Sequence, residues 1–98
     1  VTKAEVIFEI SQRTGMDKSD VAASLEGFFT VVKKSLAEGE NVYIRGFGSF
    51  VVKHRKAKIG RIISKNESVV IPAHNVPSFK PSKKFVQVVK GLDDGQDN

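Results

Sequence analysis

The sequence predicts an α+β fold: two helices, a three-stranded sheet extended into a β-ribbon arm, and a closing helix. Three observations point to it. Apolar residues recur at helical spacing in the first third of the chain, alternate at strand spacing from Asn41, and return to helical spacing after Pro81. Gly15, Gly39 and Gly91 fall where the helical pattern stops, as helix terminators do. Between two β-like runs lies Arg55–Lys65, RKAKIGRIISK, with five bases (Arg55, Lys56, Lys58, Arg61, Lys65), no acid and a Gly60 hinge. A ribbon this charged gains little by folding onto its own core.

Thr2-Lys3-Ala4-Glu5 reads as a capping box, in which the Thr2 hydroxyl accepts from the Glu5 amide and Glu5 reaches back to the Thr2 amide. A helix over about 3–13 follows, with Val6, Ile7 and Ile10 on one face and Phe8 off it. Asp17 is the expected N-cap of the second helix, with Asp20 in its favourable first turn. That helix runs to about Glu38. Val21, Leu25, Phe28, Val32 and Leu36 form a stripe that Ala22 and Phe29 widen. A stripe this broad suits two partners, the first helix and another subunit.

Val42–Ile44 is expected as a short strand, Arg45–Gly48 as a tight turn, and a second strand begins at about Phe50. Val69–Ile71 is expected as the third, with Pro72 consistent with an open ribbon edge. Pro77 and Pro81 are expected to bracket a stiff connection, with Pro81 at the first position of a helix reaching about Lys90. Phe85, Val88 and Val89 are its apolar residues. The organisation expected is one domain over 1–90, an arm over about 53–75, and a disordered acidic tail over 91–98.

Ninety-eight residues make a lean single domain, and an obligate dimer would supply burial that one chain lacks. There is no cysteine for a disulfide or thiolate site. No apolar run approaches the ~18 residues that span a bilayer, no export signal is visible, and no membrane partner is expected. The net charge of +5 is unevenly spread. Residues 45–84 hold ten bases and one acid, whereas the flanking segments 1–44 and 85–98 each carry −2. A basic middle of this kind implies a polyanionic partner.

Gly60-Arg61-Ile62-Ile63-Ser64 at the arm tip sets an arginine beside bare aliphatics. Arginine suits a narrow minor groove, and an exposed aliphatic can wedge into a base step. The bland alternative, an apolar loop folded on the core, is disfavoured by the basic residues that precede it. Lys80, Lys83 and Lys84 crowd the start of the last helix, where cations are unfavourable unless a phosphate docks there too. Gly46-Phe47-Gly48-Ser49-Phe50 lets the backbone turn tightly and approach a ligand, and reads equally as a hairpin turn with two core phenylalanines. It lacks the third glycine and following helix of a dinucleotide fingerprint. His54 and His74 make a poor metal site, and no nucleophile–base pair is recognisable, so neither a cofactor nor an enzyme is expected.

GFGSF (Gly46–Phe50), His54-Arg55, Gly60-Arg61 and Asn75-Val76-Pro77 with Phe79, in this order and spacing, resemble the bacterial histone-like family of HU and integration host factor. The likeness covers essentially 1–90. It implies an intertwined dimer with a helical base and two β-ribbon arms that embrace the minor groove of double-stranded DNA. In the family a residue at each tip intercalates and kinks the duplex, and the resemblance implies the same here. By position that wedge is Ile63, where the family usually carries proline in Arg-Asn-Pro. The resemblance places Lys3, Arg45, Gly46, Gly48, Ser49, Lys80, Lys83 and Lys84 on the phosphate-contacting body. Lys53, Arg55, Lys56, Lys58, Arg61, Ile62, Ser64 and Lys65 fall on the arm and its tip, and Asn75 at the arm base. The expected function is sequence-tolerant architectural binding that bends and compacts DNA, with a preference for bent or distorted duplex, as a homodimer or heterodimer in the bacterial nucleoid. A site-preferring integration-host-factor-like subunit, an RNA-binding module, and a dimer whose basic face takes acidic proteins are the rivals.

Overall fold

The computed structural model describes residues 1–62 and 67–92, the Ile62 side chain excepted. They form two compact units, 1–35 and the part from Leu36 onward. In the first unit, α1 (Lys3–Thr14) and α2 (Lys18–Ala37) are joined by a short turn. The Thr2 hydroxyl accepts from the Glu5 amide at 3.1 Å, as the sequence predicts. The reciprocal half differs: the Glu5 carboxylate accepts from the Thr2 hydroxyl at 3.3 Å, not from the backbone. Gly15 stops α1 at φ 75°, and its amide donates to the Ser11 carbonyl. Asp17 directly precedes α2, and its carbonyl accepts from the Val21 amide. Phe8, off the apolar face, lies under the Lys18 ammonium, 5.1 Å from the ring centroid.

The second unit holds five strands where three were expected: β1 (Val42–Ile44), β2 (Gly48–Arg55), β3 (Lys58–Ile62), β4 (Glu67–Ile71) and β5 (His74–Pro81), followed by α3 (Lys83–Lys90). The first sheet has the order β1-β2-β5, all antiparallel, and β3 pairs with β4 alone as a two-stranded ribbon. Two expectations are corrected here. The segment between Pro77 and Pro81 is part of β5 and not a connection. An edge strand tolerates proline because its outer side needs no amide donors. Pro81 ends that strand, and the N-cap of α3 is Ser82, whose hydroxyl accepts from the Phe85 amide at 3.1 Å.

Packing in this unit centres on phenylalanines. Phe79 lies 5.0 Å from Phe50, 5.2 Å from Phe47 and 6.0 Å from Phe85, centroid to centroid, and Phe47 stacks on Phe85 at 5.1 Å. The cluster ties the GFGSF turn to β5 and α3. Ser82 reinforces it: its hydroxyl donates to the Gly46 carbonyl at 3.0 Å and its amide to the Phe47 carbonyl at 2.9 Å. Ser82→Ala removes the cap and the hydroxyl half of this staple while leaving the backbone bond to Phe47, so an expected loss of about 1–2 kcal/mol should appear as an earlier midpoint in urea unfolding. An unchanged midpoint would show that water replaces the hydroxyl without cost.

Candidate nucleic-acid interface

Directly paired residues of an antiparallel sheet project to the same side, so the register sorts the predicted residues by face. Ser49 pairs with Lys80, Lys53 with Val76, and Arg55 with His74. One face of the first sheet therefore presents Ser49, Lys53, Arg55, Lys80 and His74, with Tyr43 joining from β1 opposite Ser49. The other face carries the aliphatic Val42, Ile44 and Val52 together with Phe50 and Phe79, whose rings pack 5.0 Å apart. Separation of charge from core is set by strand periodicity.

Asn75 falls on the second face. It pairs with His54, whose Nδ1–H donates to the Asn75 side-chain oxygen at 2.9 Å. It thus stands apart from Lys53, Arg55 and Lys80, although it remains exposed at the base of the ribbon.

The turn at Arg45–Phe47 is closed by the Phe47 amide donating to the Ile44 carbonyl at 3.0 Å, with Gly46 at φ 80°. Because Ser82 staples this turn to the start of α3, Arg45 and Gly46 are brought to the end of the helix where Lys83 and Lys84 lie. No acid occupies the first turn of α3. Gly48 is a steric requirement: a Cβ there would fall 2.5 Å from the Lys80 carbonyl oxygen and 2.7 Å from the Phe79 ring. The close approach of β2 to β5 that sets Ser49 beside Lys80 exists because position 48 has no side chain.

On the ribbon, Lys58 pairs with Ile71 and Arg61 with Ser68, so these two cations project to opposite sides. Gly60 makes room for Ile71, whose Cδ1 would lie 3.1 Å from an added Cβ. Ile59 and Val70 pair on the Arg61 side and are 76% and 74% exposed, an apolar step beside Arg61 that the charge pattern of the sequence does not reveal. Ile63, Ser64 and Lys65 lie outside the described residues, as does the segment 93–98 assigned to the acidic tail; for Ile62 only the strand position is described. Lys3, in the first unit, is ion-paired with Glu26, so its charge is already engaged by a carboxylate. Among the described residues no group of three or more His, Cys, Asp or Glu is arranged to hold a metal, and no helix is long and apolar enough to cross a membrane.

The family model for bacterial DNA-binding proteins matches residues 1–90. The chain belongs to this family. Among family relatives, DNA-binding protein HU of Thermus thermophilus is 40% identical over 90 residues, covering 92% of this chain and 93% of the relative. Integration host factor subunit alpha of Anaeromyxobacter sp. is 33% identical over 91 residues, covering 93% and 80%. A cocrystal structure of Anabaena HU with DNA matches with TM-score 0.87 at 31% identity, over 91% of this chain and 97% of that one. HU from Thermotoga maritima matches with TM-score 0.65 at 28% identity, over 91% and 98%. The bacterial DNA-binding family and the α+β fold expected from the sequence both stand.

Proposed function

We propose that this member of the family is an HU-like architectural protein that binds duplex DNA with little sequence preference, acts as a dimer in the bacterial nucleoid, and bends the duplex with its arms. The single observation that carries the reading is the sorting of the sheet: Ser49, Lys53, Arg55 and Lys80 share one face, continuous in register with the start of a cationic two-stranded ribbon. Such a surface neutralises phosphates by position and offers no evident side-chain set for major-groove base edges. The similarity to a DNA-bound HU supports the choice of duplex over RNA.

The apolar surface left open supports the dimer. Val21 is the one buried apolar residue among those described, while Val31 on α2 and Val89 on α3 are 64% and 74% exposed. An apolar cleft of about 390 Å³ lined by Phe79, Pro81, Phe85, Val86 and Val89 opens on the second unit. A second subunit covers such surface most simply.

Bending rests on an apolar wedge, assigned to Ile63 from the family resemblance. Unstacking a base step costs a few kcal/mol, offset by the protein surface that a bent duplex can wrap. In fluorescence energy transfer between the ends of a ~30-base-pair duplex, the protein should shorten the end-to-end distance. Ile63→Ala should keep affinity within about threefold and lose much of the shortening. An unchanged bend would remove Ile63 from that role, and no shift of duplex at micromolar protein would remove DNA binding itself.

A further inference from the structure

At the joint between the first sheet and the ribbon is a notch of about 490 Å³ lined by Arg55, Lys56, Lys58, His74 and Val76. Three cations and one histidine face it, with no acid among the lining residues. His74 is fixed within it: its Nδ1 lies 2.8 Å from the Pro72 carbonyl oxygen. A carbonyl only accepts, so Nδ1 carries the hydrogen, and in the neutral ring Nε2 holds a lone pair. An anionic oxygen approaching Nε2 meets that lone pair. Once Nε2 is protonated, the same atom becomes a charged donor.

We propose that this notch is a phosphate clasp in which His74 takes up a proton when a backbone phosphate of the duplex enters. The proposal rests on the duplex-binding reading above and adds to it a titrating ligand. A phosphodiester is already fully ionised near neutrality, so the proton comes from solution and ends on Nε2, leaving a charge-assisted hydrogen bond to a phosphate oxygen. Arg55, the cross-strand partner of His74, and Lys56 and Lys58 supply the permanent charge. Histidine changes charge between about pH 5 and 8, so duplex affinity becomes pH-dependent where lysine and arginine contacts alone leave it flat. His54 is the built-in comparison: it projects from the opposite face of the sheet, engaged with Asn75.

The test measures affinity for one short duplex by fluorescence anisotropy from pH 6 to 8 at fixed ionic strength. Calorimetry in buffers of different ionisation enthalpy counts the protons exchanged. The intact protein should weaken as pH rises, by at most about tenfold per pH unit for each proton taken up. His74→Gln should flatten the profile and remove the proton uptake. His74→Lys, which fixes the charge, should be flat and tight, and His54→Gln should keep the slope. A His74→Gln profile that tracks the parent, or a slope lost with His54→Gln instead, overturns the proposal. Absence of binding by the parent at every pH would overturn the duplex-binding reading and this inference with it.

Discussion

Duplex affinity should fall by about 10³–10⁵ between 50 and 200 mM salt, the response expected when six to ten phosphates are neutralised and their counterions released. The candidates for those contacts are distributed in a way that makes the slope divisible. Lys53, Arg55 and Lys80 lie on one sheet face, while Lys58 and Arg61 lie on the ribbon. Replacing Lys53, Arg55, Lys58 and Arg61 by alanine removes four cations from each subunit of the proposed dimer, eight in all, and should abolish most of the log–log slope, roughly seven if each meets a phosphate. Affinity at 100 mM salt should drop by at least about a hundredfold, with similar losses on unrelated sequences. A protein that read bases instead would lose affinity unevenly between sequences and keep most of its slope. If the quadruple variant retained the parental slope, the phosphates would have to be met elsewhere, at Arg45, Lys83 and Lys84.

Gly48→Val should be the most damaging single substitution to folding outside the arm. Even the first atom of a side chain at position 48 would sit 2.5 Å from a backbone oxygen and 2.7 Å from the Phe79 ring. The backbone oxygen cannot rotate away as the end of a flexible side chain can, and Phe79 is held by Phe47, Phe50 and Phe85. Either β5 moves off β2 or the aromatic cluster repacks, at a cost of about 3 kcal/mol or more. For a chain of this size that lowers the thermal midpoint by on the order of 15 °C. Gly46→Ala, with φ 80° but open space where its Cβ would fall, should cost only about 1 kcal/mol. Equal effects at the two glycines would mean that backbone conformation, not crowding, is what position 48 demands.

Much of this was legible in the chain because local chemistry agrees with the tertiary outcome. Thr2, Gly15, Asp17, Gly39 and Gly91 punctuate the helices where capping rules put them, and the density of bases from Arg55 onward marks a segment with no place in a core. Of the two strands not expected, β5 was hidden for a definite reason. Pro77 and Pro81 break a strand in the middle of a sheet but not on its rim, and whether β5 is central or peripheral is decided by β2, some 25 residues earlier in sequence. Sequence spacing could not separate Asn75 from the cationic face either. Only the register, which pairs it with His54, shows on which side it stands. The surroundings of His74, with the Pro72 carbonyl at its Nδ1 and Arg55 across the ladder, come from the turn and the register, neither of which periodicity reveals.

The hydrogen-bonded ladder stops between Arg55 and Lys58 on one side and between Ile71 and His74 on the other, leaving Lys56-Ala57 and Pro72-Ala73 as a pair of hinges. Order in the base is therefore not transmitted to the finger through continuous pairing, and a two-stranded ribbon has little of its own to resist fraying. Each finger can lose its grip and regain it while the phenylalanine-packed body keeps its shape. In the proposed complex, release from DNA then needs no global unfolding and can proceed one finger at a time.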